Sequence, residues 1–96
     1  MSISALVLHK KDNVATAVRP LGSGDNIGVE TGDGVVNIVL PQPVPFGHKF
    51  ALKDIGRGDK IIKYGETIGQ AAADIKRGEH VHIHNVDGLR GRGDRA

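Results

Sequence analysis

The stretch Gly78-Glu79-His80-Val81-His82-Ile83-His84-Asn85 holds three of the chain's five histidines at i, i+2, i+4 spacing. In an extended strand, alternate side chains point to opposite faces. The three imidazoles would then share one face, with Val81 and Ile83 buried on the other. Histidine is the side chain best suited to bind metal or move protons near neutral pH. Same-face neighbours on a strand lie about 6.6–7 Å apart at the backbone. His80 with His82, or His82 with His84, could therefore pinch one ion. His80 and His84, about 13 Å apart on the same arithmetic, could share one only if the strand bends sharply. A catalytic metal usually takes three protein ligands, so a third would have to come from His48, an acidic residue or another protein. A solvent-facing polar strand is the competing reading.

Other polar groups invite weaker readings. Gly47-His48-Lys49 could meet an anionic substrate, Lys49 supplying charge and His48 acting as acid or base; an ordinary polar turn is the alternative. Lys63 ends an apolar strand and could face a pocket, whereas packing accounts for Tyr64, the only tyrosine. His9-Lys10-Lys11-Asp12-Asn13 reads as a solvated turn. The tail Leu89-Arg90-Gly91-Arg92-Gly93-Asp94-Arg95 could clamp a carboxylate or dock on an acidic partner. Gly22-x-Gly24-x-x-x-Gly28 does not follow a strand and open a helix, as a dinucleotide loop must. No nucleophilic triad is visible.

These residues need a small scaffold. The 96 residues form one domain with a modest aliphatic core, since aromatics make up only 3%. With no cysteine, disulfides, thiolate metal sites and an iron–sulfur cluster held wholly by this chain are excluded. No apolar run approaches the roughly 20 residues needed to span a bilayer, and Met1–Leu8 lacks a basic leader. The expected location is cytoplasmic. A net charge of +2, with both signs interspersed, suits an anionic small molecule and gives no nucleic-acid footprint.

Fourteen glycines and four prolines leave little room for helices, so the predicted fold is mostly β, with many short coiled strands. Strands are expected over Ala5–His9, Val14–Val18, Val35–Leu40, Lys49–Leu52, Lys60–Tyr64 and Glu79–Asn85. Asp33-Gly34 signals a hairpin turn, and Thr67–Ala73 could form a short helical turn. The expected organisation is a hairpin layer over 1–40, a Pro-rich connector over 41–45, a second half over 46–88 and an Arg/Gly tail over 89–96. A weak repeat joins Asp54-Ile55-Gly56-Arg57-Gly58-Asp59 to Asp74-Ile75-Lys76-Arg77-Gly78-Glu79.

Pro45-Phe46-Gly47-His48-Lys49-Phe50-Ala51-Leu52-Lys53-Asp54-Ile55, Lys63-Tyr64-Gly65, Ile68-Gly69 and the histidine stretch resemble the small domain of the altronate/galactarate dehydratase family. The resemblance covers nearly the whole chain and is strongest from Val44 to Asp94. It implies an SAF-type β-clip fold with one or two short helical turns. The family carries this domain fused to a large catalytic domain or as a separate small subunit. The chain stops at Ala96, so it resembles the separate form, and its Leu89–Asp94 ending resembles altronate dehydratase small subunits more than that of sulfolactate sulfo-lyase.

The resemblance implies a metal-dependent hydro-lyase, inactive alone, converting D-altronate to 2-keto-3-deoxy-D-gluconate. The implied cofactor is a divalent metal, Fe2+ with Mn2+ or Mg2+ as alternatives, held mainly by a large dehydratase partner in a hetero- or homo-oligomer. Matching positions suggest His48, Lys49 and His82 for catalysis and His80 and His82 for metal. Lys63, His84, Asn85 and Arg90 would bind the acid. A sulfo-lyase subunit and a non-catalytic binding or assembly module are the other readings.

Overall fold

A computed structural model describes residues 4–31 and 34–88. The described chain is mostly β and contains no helix, in agreement with the β-clip expectation. Nine short strands run in order: β1 Ala5–Leu6, β2 Val14–Ala17, β3 Asn26–Thr31, β4 Gly34–Val39, β5 Lys49–Ala51, β6 Lys60–Lys63, β7 Glu66–Ala71, β8 His80–Val81 and β9 Val86–Gly88. They form three antiparallel sheets, ordered β1-β2-β5-β8, β3-β4 and β6-β7-β9.

The central four-stranded sheet is covered on both faces. Alternating residues of β2 and β5 send Ala15, Ala17 and Phe50 into one apolar cluster, shared with Ile27, Val29 and Ile38 of the β3–β4 hairpin. Val14, Ala51 and Val81 enter a second cluster with Ile61 and Ala71 from β6 and β7. That sheet draws two strands from each side of residues 41–45, so the proline segment bounds no layer. Val44, in its middle, is fully buried and bridges Leu21.

One turn recurs four times, where the sequence reading found two copies. Leu21–Asp25, Val44–His48, Ile55–Asp59 and Ile75–Glu79 each begin with a buried aliphatic residue. These residues bridge in pairs, Leu21 with Val44 and Ile55 with Ile75. Each turn has a positive-φ glycine at its fourth position: Gly24, Gly47, Gly58 and Gly78. The fifth residue's N–H returns to the carbonyl of the second, over 2.9–3.1 Å. In three copies the fifth side chain is an acid that also accepts the second residue's N–H. These bonds are Gly22 to Asp25 at 2.7 Å, Gly56 to Asp59 at 3.0 Å and Lys76 to Glu79 at 2.6 Å. Glycine is required most strictly at Gly78, where φ is 88° and an added Cβ would lie 2.8 Å from the Val39 carbonyl.

Three expectations are corrected. Thr67–Ala73 is no helical turn: Glu66–Ala71 is strand β7, and Ala71 is buried opposite Val86. The alanines' helix propensity yields to pairing on both edges of β7. Asn26–Thr31, absent from the expected strands, is a strand whose Ile27 and Val29 face the core between exposed Asn26, Gly28 and Glu30. Finally, Glu79–Asn85 is no single ribbon. Strand β8 ends at Val81, the chain turns through Ile83–Asn85, and Ile83 is 85% exposed rather than buried.

Candidate functional site

The Val44–His48 copy of the turn builds the site by departing from the pattern. Its second residue is Pro45, which has no N–H to cap, and its fifth is His48 instead of an acid. The His48 side chain is thus released from the turn. It leads into β5, which pairs with β8 so that Lys49 lies opposite Val81 and Phe50 opposite His80. The same register, carried one residue further, sets His48 across from His82. Their rings stack with centroids 3.9 Å apart. On the diagonal, His48 Nδ1 and His80 Nε2 share a proton over 2.8 Å.

The bend after Val81 closes the cluster. Asn85 Nδ2 donates to the His80 carbonyl, and Asn85 Oδ1 accepts the His82 N–H, both at 2.9 Å. This pair of hydrogen bonds curls the chain and brings the His84 ring to 5.2 Å from that of His80, against about 13 Å for a straight strand. Gln42, which the sequence placed only in a connector, holds the other side by accepting the His80 N–H at 2.9 Å. Its signal was available, since Gln42 is the one polar residue between the prolines of Pro41–Pro45.

One nitrogen each from His48, His80 and His82 lies within 4.8 Å of the others, a grouping fit for a metal ion. Around a tetrahedral ion with bonds near 2.1 Å, ligand nitrogens stand roughly 3.4 Å apart. The His80 pKa is lowered below 6.5, first by burial and then by the positive charge of His48, His84, His82 and Lys49. That of His82 is lowered too, by desolvation first and then by His48, Lys49 and His84. Both effects favour the neutral imidazole that coordinates metal.

The unfolded chain therefore binds more protons than the folded one between these lowered values and 6.5. Stability of the metal-free domain should fall as pH drops below about 6.5. Urea unfolding in a chelator, from about pH 7.5 to about pH 5.5, should show this decline. A flatter curve is expected for the His80→Ala, His82→Ala double variant, and equal slopes would refute the assignment.

The remaining candidates are distributed around the trio. Half-buried Lys49 has its pKa lowered by burial and then by the charge of Lys63. The Lys63 ammonium also stands 4.9 Å from the Tyr64 ring centroid. Exposed His84 flanks the trio outside the metal grouping. Asn85 has both ends of its side chain bound to backbone and acts as a brace. Arg90 lies outside the described residues.

A mostly β clip carrying three converging imidazoles defines the class, and comparison with known proteins gives the family. Residues 3–89 match the altronate/galactarate dehydratase SAF domain, and the chain belongs to that family. It is 47% identical to an altronate dehydratase of Escherichia coli over 82% of this chain, but only 15% of that relative. An altronate dehydratase of Bacillus subtilis is 40% identical over 86% of this chain and 16% of its own length. The chain thus spans about one-sixth of these relatives. A (2R)-sulfolactate sulfo-lyase subunit alpha of Chromohalobacter salexigens is 38% identical over 90% of this chain and 95% of its own.

Proposed function

We propose that this chain is the small component of a sugar-acid dehydratase, acting with a separate large catalytic partner on D-altronate to give 2-keto-3-deoxy-D-gluconate. The observation that carries this reading is the convergence of His48, His80 and His82 at a half-exposed rim. Phe46, two residues from His48, is 67% exposed, and Ile83, between His82 and His84, is 85% exposed. Apolar side chains beside an open ligand set suit a partner that covers them and completes the coordination.

His48, His80 and His82 would hold the metal, which would then be shared with the partner. An all-imidazole set favours Fe2+ over Mg2+, with Mn2+ between them. When bound, the metal would act as a Lewis acid that stabilises charge developing on the substrate's carboxylate. Lys63 would bind and orient the acid. Lys49, whose pKa is lowered by burial and by Lys63, would as the neutral amine take the proton from the carbon next to the carboxylate. His84, exposed beside His80, would give a proton to the departing hydroxyl, so that water leaves. Asn85 and Gln42 hold the loop that aims these groups.

The sulfo-lyase reading is favoured by a different observation: the chain matches 95% of that subunit's length. Sulfite would then leave in place of water. The two separate by co-purifying the chain with its large partner and assaying altronate, galactarate and sulfolactate with Fe2+. Water loss from altronate, by the complex and not by the isolated chain, is expected. Sulfite release from sulfolactate with altronate untouched would replace the first reading, and full turnover by the isolated chain would overturn the shared site.

A further inference from the structure

The β6–β7 hairpin closes with Lys63 opposite Glu66, leaving Tyr64 and Gly65 as a two-residue loop. Both have positive φ, 55° and 79°, the geometry of a type I′ turn in which Asn-Gly is favoured. Tyr64 is the only non-glycine described residue with positive φ, and a bulky side chain there is strained. Packing does not explain it, contrary to the sequence reading, because Tyr64 is 45% exposed. Among the described residues no hydrogen bond reaches its hydroxyl.

The surroundings nevertheless lock this conformation. Buried Asp12 accepts the Gly65 N–H at 2.8 Å, and a Cβ on Gly65 would lie 2.8 Å from the His9 ring. Ile62, just before the tip, exchanges hydrogen bonds with Asn13 at 2.8 and 3.2 Å. Strain over-determined by neighbours collects where a side chain must be presented.

What is presented continues the histidine site. Lys49 follows His48, the charge of Lys63 reaches Lys49, and the Lys63 ammonium stands 4.9 Å from the Tyr64 ring centroid. Among the described residues no ion pair neutralises either lysine. We propose that the Lys63–Tyr64 tip binds the end of an elongated hydroxy acid remote from the histidines, and that Tyr64 selects which acid is accepted. The Lys63 ammonium and the tyrosine hydroxyl take the hydroxyls at that end, while the ring packs against its carbon. This rests on the dehydratase reading above.

The test uses the complex with the large partner. Tyr64→Asn puts a favoured residue into the turn, so the small chain should melt about 4 °C or more higher. Its KM for the acid should nonetheless rise about tenfold, with kcat changed far less. Tyr64→Phe keeps ring and turn, and its KM should move the same way. A KM within about twofold of wild type for both variants, while His48→Ala abolishes turnover, overturns the tip and leaves the dehydratase reading standing. Wild-type turnover in His48→Ala as well would overturn both.

Discussion

Phe50→Ala should remove about 3–5 kcal/mol of stability, the range for truncating a buried phenylalanine. Phe50 is fully buried and heads the largest fully buried side chains. It packs in the cluster with Ala15, Ala17, Leu40 and Val44. Aromatics are only 3% of the chain, and every other residue of this cluster is aliphatic. A domain of this size has roughly 5–15 kcal/mol in all, so this single change takes a large share. Thermal unfolding should shift down by about 12 °C or more. Phe50 lies opposite His80 in the β5–β8 register, so the cavity opens directly beneath the histidine strand. Phe46→Ala is the internal comparison, because Phe46 is 67% exposed and should cost no more than about 0.5 kcal/mol. A small loss at Phe50, or equal losses at both, would mean that the core is centred elsewhere.

Removing an imidazole from the trio should have the largest effect on chemistry. His48→Ala, His80→Ala and His82→Ala should each weaken Fe2+ or Zn2+ binding by about 100-fold or more, beyond the 10–100-fold typical of losing a ligand's supporting hydrogen bond. Gln42→Ala and Asn85→Ala, which disturb only such supports, should fall within that range. His84→Ala should change affinity only a few-fold, since its ring lies outside the group of mutually close nitrogens. Calorimetric titration of the complex under anaerobic conditions measures all six, and turnover should follow the same order except in His84→Ala, which also loses the acid proposed for the departing hydroxyl. Unchanged affinity across the three trio variants would leave a stacked, hydrogen-bonded histidine cluster with no metal role.

The contrast between Phe46 and Phe50 also marks what could be read beforehand. Both stand in the same short segment of β-forming residues, and alternation alone does not tell which one meets the core. That depends on a turn whose glycine has positive φ and which reverses the chain between them. The two-copy repeat at Ile55 and Ile75 was legible because Asp, Ile, Arg and Gly recur at matching places. The copies at Leu21 and Val44 were hidden because they lack the preceding Asp and the Ile and Arg that mark the other two, and share with them only an aliphatic start and a glycine. Pro45 and His48 were in view throughout, yet their meaning appears only beside the three turns that end in a capping acid. Tyr64 shows the same limit, since no composition or spacing rule flags a tyrosine in left-handed backbone.

By itself the chain determined what depends on neighbours a few residues apart: a helix-poor β fold, tight glycine turns, a hairpin after Thr31 and a histidine-rich segment carrying a family's motifs. Those properties follow from local φ preferences and from which side chains can be buried. Tertiary structure alone decided that His48 meets partners 32 and more residues away, and that Asn85 bends the chain after Val81. Such approaches are set by strand register and by buried hydrogen bonds between distant segments, and a side chain's type says nothing about which distant backbone it will face.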